Sequence, residues 1–299
     1  MKKKVLSMVC LAMLFMLLPI TAYADVGPKP SIIIDFKGLE KENYYVTLLS
    51  KNPSTGPYTA LSKNPNQQKY TPSDDEYEIW KKFVSYEDVD EYYFLQFFSN
   101  CSKTSQFVWG YYPPSSFKIL LYFPETDSFM VSSEIYERYA FDSYYTACIT
   151  AGEIQGSTYN YNGTIKVEKS YDYTWEIISL LARIIATVAI EIAIALLFGF
   201  RAKKQIFIIL TANIITQSVL NILLAIINYS QGSMMFVFSY VLLEFLVFAI
   251  EAAIYYIYLN KYSNKKITQK WIAPLYALLA NIASFGIGLF IARIIPGIF

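Results

Sequence analysis

Four long apolar runs in the C-terminal part of the chain constrain its fold more than any other feature. They cover residues 177–200, 206–227, 234–259 and 272–295, and each is at least as long as the roughly 20 residues that cross the hydrocarbon core of a bilayer. A backbone in lipid has no water with which to form hydrogen bonds, so an isolated segment of this kind is expected to be helical. The sequence therefore predicts a four-helix transmembrane α-bundle within residues 173–299.

The charges of the three short connectors predict how these helices are oriented. Residues 201–205 carry three basic side chains and residues 260–270 carry four lysines, with no acid in either, whereas residues 229–233 are uncharged. Basic loops lie preferentially on the cytoplasmic side of a membrane. The first and third connectors are therefore expected in the cytoplasm, and the C-terminus is expected on the outer side of the plasma membrane.

The N-terminus leads to the same orientation. Three lysines at positions 2–4 precede an apolar run over residues 5–20 and the small-residue pattern Ala22-Tyr23-Ala24, which is typical of a secretory signal peptide. The alternative is an uncleaved anchor, for which the apolar run is short. We therefore expect a signal peptide over residues 1–24 and an extracytoplasmic domain over residues 25–172.

Charge divides the chain at the same place. Residues 25–172 contain 20 acidic and 13 basic side chains, a net charge of −7, whereas residues 173–299 contain 4 and 9, a net charge of +5. An acidic outer domain on a membrane base argues against nucleic acid as a partner of either part. The expected partners are the lipid bilayer, including anionic headgroups near the lysine loops, and a membrane or cell-envelope protein or a second copy of the chain.

The extracytoplasmic part has the pattern of a mainly-β, sandwich-like domain with one short helix. Seven or eight β-branched or aromatic runs are separated by Pro, Gly and Asp turns. The first two runs, residues 32–36 and 44–49, are expected to form a hairpin. Residues 74–84 are expected to form the helix, since Ser73 and Glu76 have the spacing of a capping box.

Two acidic groups in this domain, residues 74–78 and 87–91, resemble a calcium-binding composition. They lack the regular alternation and the loop glycine of an EF-hand. We interpret them as a solvated acidic face.

Two cysteines, Cys101 and Cys148, remain once the predicted leader is removed. Disulfides persist in exported domains, so these two residues are expected to pair. The alternative is two free thiols.

Polar side chains recur within the predicted membrane helices. Glu191 and Glu251 lie ten and nine residues from Arg201 and Asn260, or roughly 14 to 15 Å at about 1.5 Å per residue, which is near the membrane midplane. An ionisable group at that depth costs about 2.5 to 3.5 kcal/mol or more, and it suggests a function. We expect these residues to form a proton or cation site in the bundle together with three others, which are Glu244, Asn213 and Gln217.

A structural interpretation of the polar side chains stands beside the functional one. Asn, Gln, Ser and Thr side chains often serve only to hold neighbouring helices together by hydrogen bonds. For Asn221 and Asn281, this structural role and a role in the site are both left open. Arg183 lies about two turns from the outer edge and is interpreted as an outward-reaching anchor. The glutamates fit this interpretation poorly, because joining helices needs no ionisable group.

Several enzyme classes are excluded by composition. The chain has no histidine, which removes histidine-dependent zinc proteases, Ser-His intramembrane proteases and Glu/His proteases. No aspartate follows Asp172, so a two-aspartate intramembrane protease is also excluded. No motif predicts a catalytic residue, a metal or an organic cofactor.

The layout resembles that of uncharacterised membrane proteins of Gram-positive bacteria, in stretches such as residues 117–124 (FKILLYFP) and residues 201–221. That resemblance implies no activity. Two function classes remain: a non-enzymatic receptor or transport component, and a membrane enzyme that acts on a lipid or prenyl-linked substrate through a glutamate. We favour the first, because no Asp-rich metal motif supports the second, although four helices are few for a transporter that does not oligomerise.

Overall fold

A computed structural model of the chain describes residues 27–40, 42–150, 164–259, 261–262 and 271–294. The predicted signal peptide, most of the third connector and the last five residues lie outside this part. Within it, a β-rich region is followed by four helices that are much longer than the other helices of the described residues.

The β-rich region contains twelve described strands. They are β1 (Ser31–Lys37), β2 (Tyr45–Ser50), β3 (Ser54–Thr55), β4 (Tyr58–Thr59), β5 (Tyr93–Phe94), β6 (Ser99–Asn100), β7 (Gln106–Trp109), β8 (Ser116–Phe123), β9 (Ser128–Val131), β10 (Tyr136–Glu137), β11 (Asp142–Thr150) and β12 (Thr164–Lys169). One sheet has the order β12-β11-β1-β7, and a second has the order β10-β8-β2-β5 with β6 paired to β2 and β9 to β8. A third, small sheet joins β3 and β4.

The predicted hairpin between the first two strands is wrong, because β1 and β2 belong to different sheets. β1 runs parallel to β11 and antiparallel to β7. Its three consecutive isoleucines are all buried, which is the pattern of a central strand rather than a hairpin edge. The chain leaves β1 through Gly38, where φ is 91° and an added Cβ would lie 2.5 Å from the carbonyl oxygen of Ile149. Only glycine fits this close approach, and the chain then crosses to the other sheet.

The two larger sheets share one hydrophobic core. Ile34 and Trp109 contribute to it from the first sheet, and Leu48 and Leu121 contribute from the second. A second cluster covers the outer face of the second sheet, where the helix α1 (Tyr77–Ser85) buries Trp80 and Phe83.

The capping box that we predicted for α1 does not form. The helix begins at Tyr77, and no side chain caps its first residue. Asp74 instead accepts hydrogen bonds from the backbone N–H and the hydroxyl of Thr71, at 2.7 and 2.9 Å. The Ser73 hydroxyl, the predicted cap, shares a hydrogen bond with the Thr71 hydroxyl, at 2.8 Å. These side chains therefore close a turn before the helix and do not cap it.

Four long helices follow: α2 (Thr174–Leu197), α3 (Lys203–Gln231), α4 (Ser233–Tyr258) and α5 (Ile272–Ile294). Three segments, Glu176–Leu197, Lys203–Gln231 and Ser233–Tyr258, are long and apolar enough to cross a membrane. In α5, the apolar segment whose side chains are described is shorter, Ile272–Ile287.

Burial in these helices is inverted relative to a water-soluble bundle. α2 packs against α3 and α5, and α4 packs against the same two helices, so the four form a ring. Ile185 and Phe207 are 68% and 67% exposed on its outside, while Glu191, Asn213 and Glu251 are fully buried inside it. An apolar exterior around a polar interior is the arrangement of an integral membrane protein.

The β-rich region contacts one end of this ring. The backbone N–H of Phe141 donates to the carbonyl oxygen of Tyr229, at 2.8 Å, near the end of α3. The turn between α3 and α4 is at Gly232, where φ is 83° and an added Cβ would lie 2.6 Å from the ring of Phe141. The rings of Tyr139 and Tyr171 lie 6.3 and 5.3 Å from that of Tyr229. The junction is therefore a packed aromatic contact and not a free linker.

The two cysteines are both free thiols, so the structure does not support the predicted disulfide. Cys101 is buried in the core between the sheets, and Cys148 is exposed on β11. Burial raises the pKa of the Cys101 thiol to about 12, which makes it unreactive at neutral pH.

Candidate functional site

The interior of the helical ring holds a network of polar side chains drawn from all four helices. Asn213 of α3 donates through Nδ2 to Glu191 Oε2 of α2, at 2.7 Å, and to the Tyr255 hydroxyl of α4, at 2.9 Å. The Tyr276 hydroxyl of α5 donates to the backbone carbonyl of Glu191, at 3.2 Å, and lies beside its carboxyl group. This layer surrounds the first carboxyl group.

A second layer surrounds the other carboxyl group. Thr216 of α3 donates to Glu251 Oε1 of α4, at 2.6 Å, and Asn281 Nδ2 of α5 donates to Glu251 Oε2, at 2.8 Å. Thr216 lies three residues after Asn213, so the layers are about one helical turn apart. The two carboxyl groups are close enough to interact electrostatically.

Helix periodicity explains why these residues meet. Asn213 and Thr216 are spaced i, i+3 on α3, and Glu251 and Tyr255 are spaced i, i+4 on α4, so each pair lies on one face of its helix. In an apolar bundle, polar side chains face the interior, because lipid offers no hydrogen-bond partner.

The network leaves three buried oxygen atoms without hydrogen-bond partners among the described residues. They are Glu191 Oε1, Asn213 Oδ1 and Asn281 Oδ1. In each of the two asparagines, the amide nitrogen donates to a carboxyl group and to the backbone carbonyl one helical turn earlier. That carbonyl belongs to Ile209 for Asn213 and to Ala277 for Asn281. The amide oxygens remain acceptors. An unsatisfied buried acceptor costs about 1–3 kcal/mol, so three of them near two carboxyl groups need a reason.

These atoms have the chemistry of a site for a proton or a hard cation. Carboxylate and amide oxygens are the ligands that hard cations prefer in proteins, and a carboxyl group can also carry a proton. No nitrogen lone pair or thiolate lies in the network.

Two of the five residues predicted for the site lie apart from this network. Glu244 is partly buried on α4, about two turns nearer the β-rich region than Glu251, where it hydrogen-bonds with Tyr240 and interacts with the charge of Arg183. Gln217 is buried, but no hydrogen bond within the described residues joins its side chain to either carboxyl group.

Arg183 does not act as the outward anchor that we expected. It donates to Asn221 Oδ1, at 3.0 Å, and its guanidinium lies 5.6 Å from the ring centre of Phe236. Its charge is therefore directed to the interior of the ring, one to two turns nearer the β-rich region than the two carboxyl groups.

Three members of the network were not predicted from the sequence: Thr216, Tyr255 and Tyr276. Thr216 and Tyr255 lie one helical turn from residues that we did select, so a same-face search around Asn213 and Glu251 would have found them. Tyr276 has no such neighbour, because its position depends on how α5 packs against α2.

A scan against protein-family models, a search of curated proteins and a search of solved structures found no match for this chain. Function is therefore inferred from the geometry and chemistry of the network.

Proposed function

We propose that this is a four-span plasma-membrane protein of the receptor or transport class, without enzymatic activity. Its β-rich region lies outside the cell and binds a ligand or an envelope partner, and its helical ring holds a proton or cation at Glu191 and Glu251. α5 supplies the fourth span, and the lysine-containing connectors are cytoplasmic. The ring acts with a membrane protein partner or with further copies of itself.

The observation that carries the proposal is the buried pair of carboxyl groups in which Glu191 Oε1 and the oxygens of the two neighbouring amides, Asn213 and Asn281, have no hydrogen-bond partner among the described residues. Each of the four helices contributes a side chain to it, so filling the site affects the packing of the whole ring. Midplane sites of this composition suit ions that move through or regulate a membrane protein. A purely structural role needs hydrogen bonds, but it does not need acceptors that are left open.

Substituting Glu191 or Glu251 with glutamine is expected to abolish ligand-dependent stabilisation while the protein still folds. Glutamine keeps the shape of the side chain and one acceptor oxygen, but it neither titrates nor carries charge. In the parent, a ligand at about 100 times its Kd adds about 2.7 kcal/mol of stability. The thermal midpoint then rises by about 5–10 °C. The measurement uses full-length protein in detergent, with sodium, potassium or calcium chloride against choline chloride at equal ionic strength.

Ser284→Ala is the matched control, because Ser284 is buried on α5 and donates to the carbonyl of Asn281, at 3.1 Å, without bonding to either carboxyl group. It is expected to keep the cation response of the parent. If the ligand is a proton, the parent shows no cation response, and a protonated-carboxyl infrared band that titrates with pH disappears in Glu191→Gln or Glu251→Gln. A parent with neither response would overturn the proposal.

Labelling of Cys148 tests the orientation of the β-rich region. A membrane-impermeant maleimide is expected to label the parent on intact cells, because Cys148 is an exposed free thiol on β11. It is expected not to label Cys148→Ser, and buried Cys101 is expected to react only after denaturation. Labelling only after cell lysis would place the region inside the cell. If intact cells are labelled only after reduction, the result would support the disulfide that the sequence predicts.

A further inference from the structure

The β-rich region contains a cavity of about 490 Å³ that is lined by residues of three segments of the chain, 57–59, 67–69 and 95–96. Its volume lies in the range of small-molecule sites, which is about 300–1,000 Å³. Its lining combines a few polar groups with apolar surface, and it includes Pro57, Tyr58, Lys69, Leu95 and Gln96.

Among the described residues, Lys69 is the one charged residue that lines the cavity. Its ammonium lies 5.4 Å from the ring centre of Tyr58, 5.8 Å from that of Tyr70 and 5.5 Å from that of Phe97. No carboxylate within the described residues forms an ion pair with it. Partial burial lowers the pKa of this lysine. The rings hold the ammonium in place and leave its charge available to an anion.

The walls of the cavity are fixed by Gln96, which is 3% exposed. Its Nε2 donates to the carbonyl oxygens of Thr59 and Gln67, at 2.8 and 2.9 Å, and its Oε1 accepts from the backbone N–H of Lys69, at 3.0 Å. Its φ is 58°, which is uncommon for a residue other than glycine. Such strain concentrates at ligand sites, where the surrounding bonds maintain it.

The available donors determine the class of ligand. Lys69 supplies one positive charge, and Tyr58 supplies a hydroxyl that makes no hydrogen bond within the described residues. A carboxylate has one negative charge and two oxygens, so it matches one ammonium and one phenol. A phosphate dianion would keep an uncompensated charge, because no arginine or second lysine lines the cavity.

We propose that this cavity binds a small carboxylate with a partly apolar body, of the kind found at a peptide C-terminus. Lys69 and Tyr58 hold the carboxylate, and Pro57 and Leu95 contact the apolar part. The inference extends the ligand-binding role proposed above for the β-rich region. It does not depend on the cation site, since the two sites share no residue and are measured with different ligands.

The test measures binding of N-acetyl-dialanine to the full-length protein in detergent by calorimetry, beside the same peptide with its C-terminus amidated. The free acid is expected to bind at least about tenfold more tightly than the amide. Lys69→Gln is expected to remove this preference, and Lys69→Arg is expected to retain most of it, because arginine keeps the charge.

Lys63→Gln is the matched control. Lys63 also lies over an aromatic ring, that of Tyr93 at 5.4 Å, but it does not line the cavity. It is expected to bind both peptides as the parent does. The proposal fails if the acid and the amide bind equally, if neither binds, or if Lys63→Gln weakens the acid as much as Lys69→Gln does. None of these results would alter the cation measurements on Glu191→Gln.

Discussion

Replacing Lys118 with methionine is expected to destabilise the β-rich region by about 3–5 kcal/mol. The ammonium of Lys118 contacts Asp88, at 3.0 Å, and Asp90, and the side chains of Lys118 and Asp88 are 3% and 0% exposed. Methionine fills a similar volume but leaves the Asp88 carboxylate buried without its cation, which costs more than the pair contributes. Thermal unfolding followed by the fluorescence of buried Trp80 and Trp109 measures the loss.

Lys82→Met provides the comparison. Lys82 pairs with Asp127, at 2.6 Å, but both side chains are about half exposed. Its loss is expected to cost about 0–1 kcal/mol. Equal effects of the two substitutions would show that burial of the Lys118 pair contributes nothing to stability.

The effect of Lys118→Met should persist across neutral pH. Burial alone would lower the pKa of Lys118, but hydrogen bonds to Asp90 and Asp88 outweigh it, so the pKa is raised. A group whose pKa is raised on folding stabilises fully below its unfolded value, about 10.4 for lysine, and this contribution is lost as pH rises through the folded value. The difference in the free energy of unfolding between the parent and the variant is therefore expected to be fully present at pH 7 and to decrease only above about pH 10.

Replacing Gln96 with leucine is expected to cost about 3 kcal/mol and to abolish binding of the carboxylate peptide. Leucine has a similar size but removes all three bonds to the loop backbone, at Thr59, Gln67 and Lys69. The two carbonyls and one N–H then lack partners, and nothing offsets the strain at φ 58°. Thermal unfolding measures the first effect and calorimetry the second.

Gln68→Leu is the control that tests whether the loss of stability is specific to the buried glutamine at position 96. Gln68 is exposed, and its Nε2 donates to one carbonyl, that of Tyr70, at 2.6 Å. Its loss is expected to change stability by less than about 0.5 kcal/mol. If Gln96→Leu is as mild as this control and still binds the peptide, then Gln96 does not organise the cavity.

The sequence was most informative where one physical constraint acted alone. Length and apolarity were enough to locate the long helices to within a few residues, because lipid admits no other conformation for such segments. The pairing of β1 with β11 was not predictable, because each residue of β1 pairs with one 111 positions further along the chain, as Ser31 does with Asp142, and no local pattern encodes so distant a partner.

The acidic segment at residues 87–91 shows why composition misled us. We interpreted it as a solvated face, yet Asp88 is buried against Lys118, 30 residues away. A lone lysine inside the apolar strand FKILLYF is unusual. It could have indicated that a nearby acid is buried, because a buried ammonium requires an acidic partner.

In the candidate site, spacing identified which residues face inward but not which of them meet. Glu191, Asn213 and Glu251 were selected correctly as buried, while Glu244 shares the face of Glu251 and lies elsewhere along the axis. Helix periodicity fixes an angle around each axis, whereas the relative height of neighbouring helices depends on packing.

The contact between Phe141 and Tyr229 gives the molecule a mechanical property. α3 has 29 residues and is therefore about 44 Å long, and its C-terminal end is joined to the β-rich region by the hydrogen bond between Phe141 and Tyr229. Thr216 and Asn213, which lie about 20 and 24 Å from Tyr229 along this helix, each donate a hydrogen bond to one carboxyl group. A displacement of the β-rich region at this contact is therefore expected to reach both carboxyl groups as a shift or rotation of one helix.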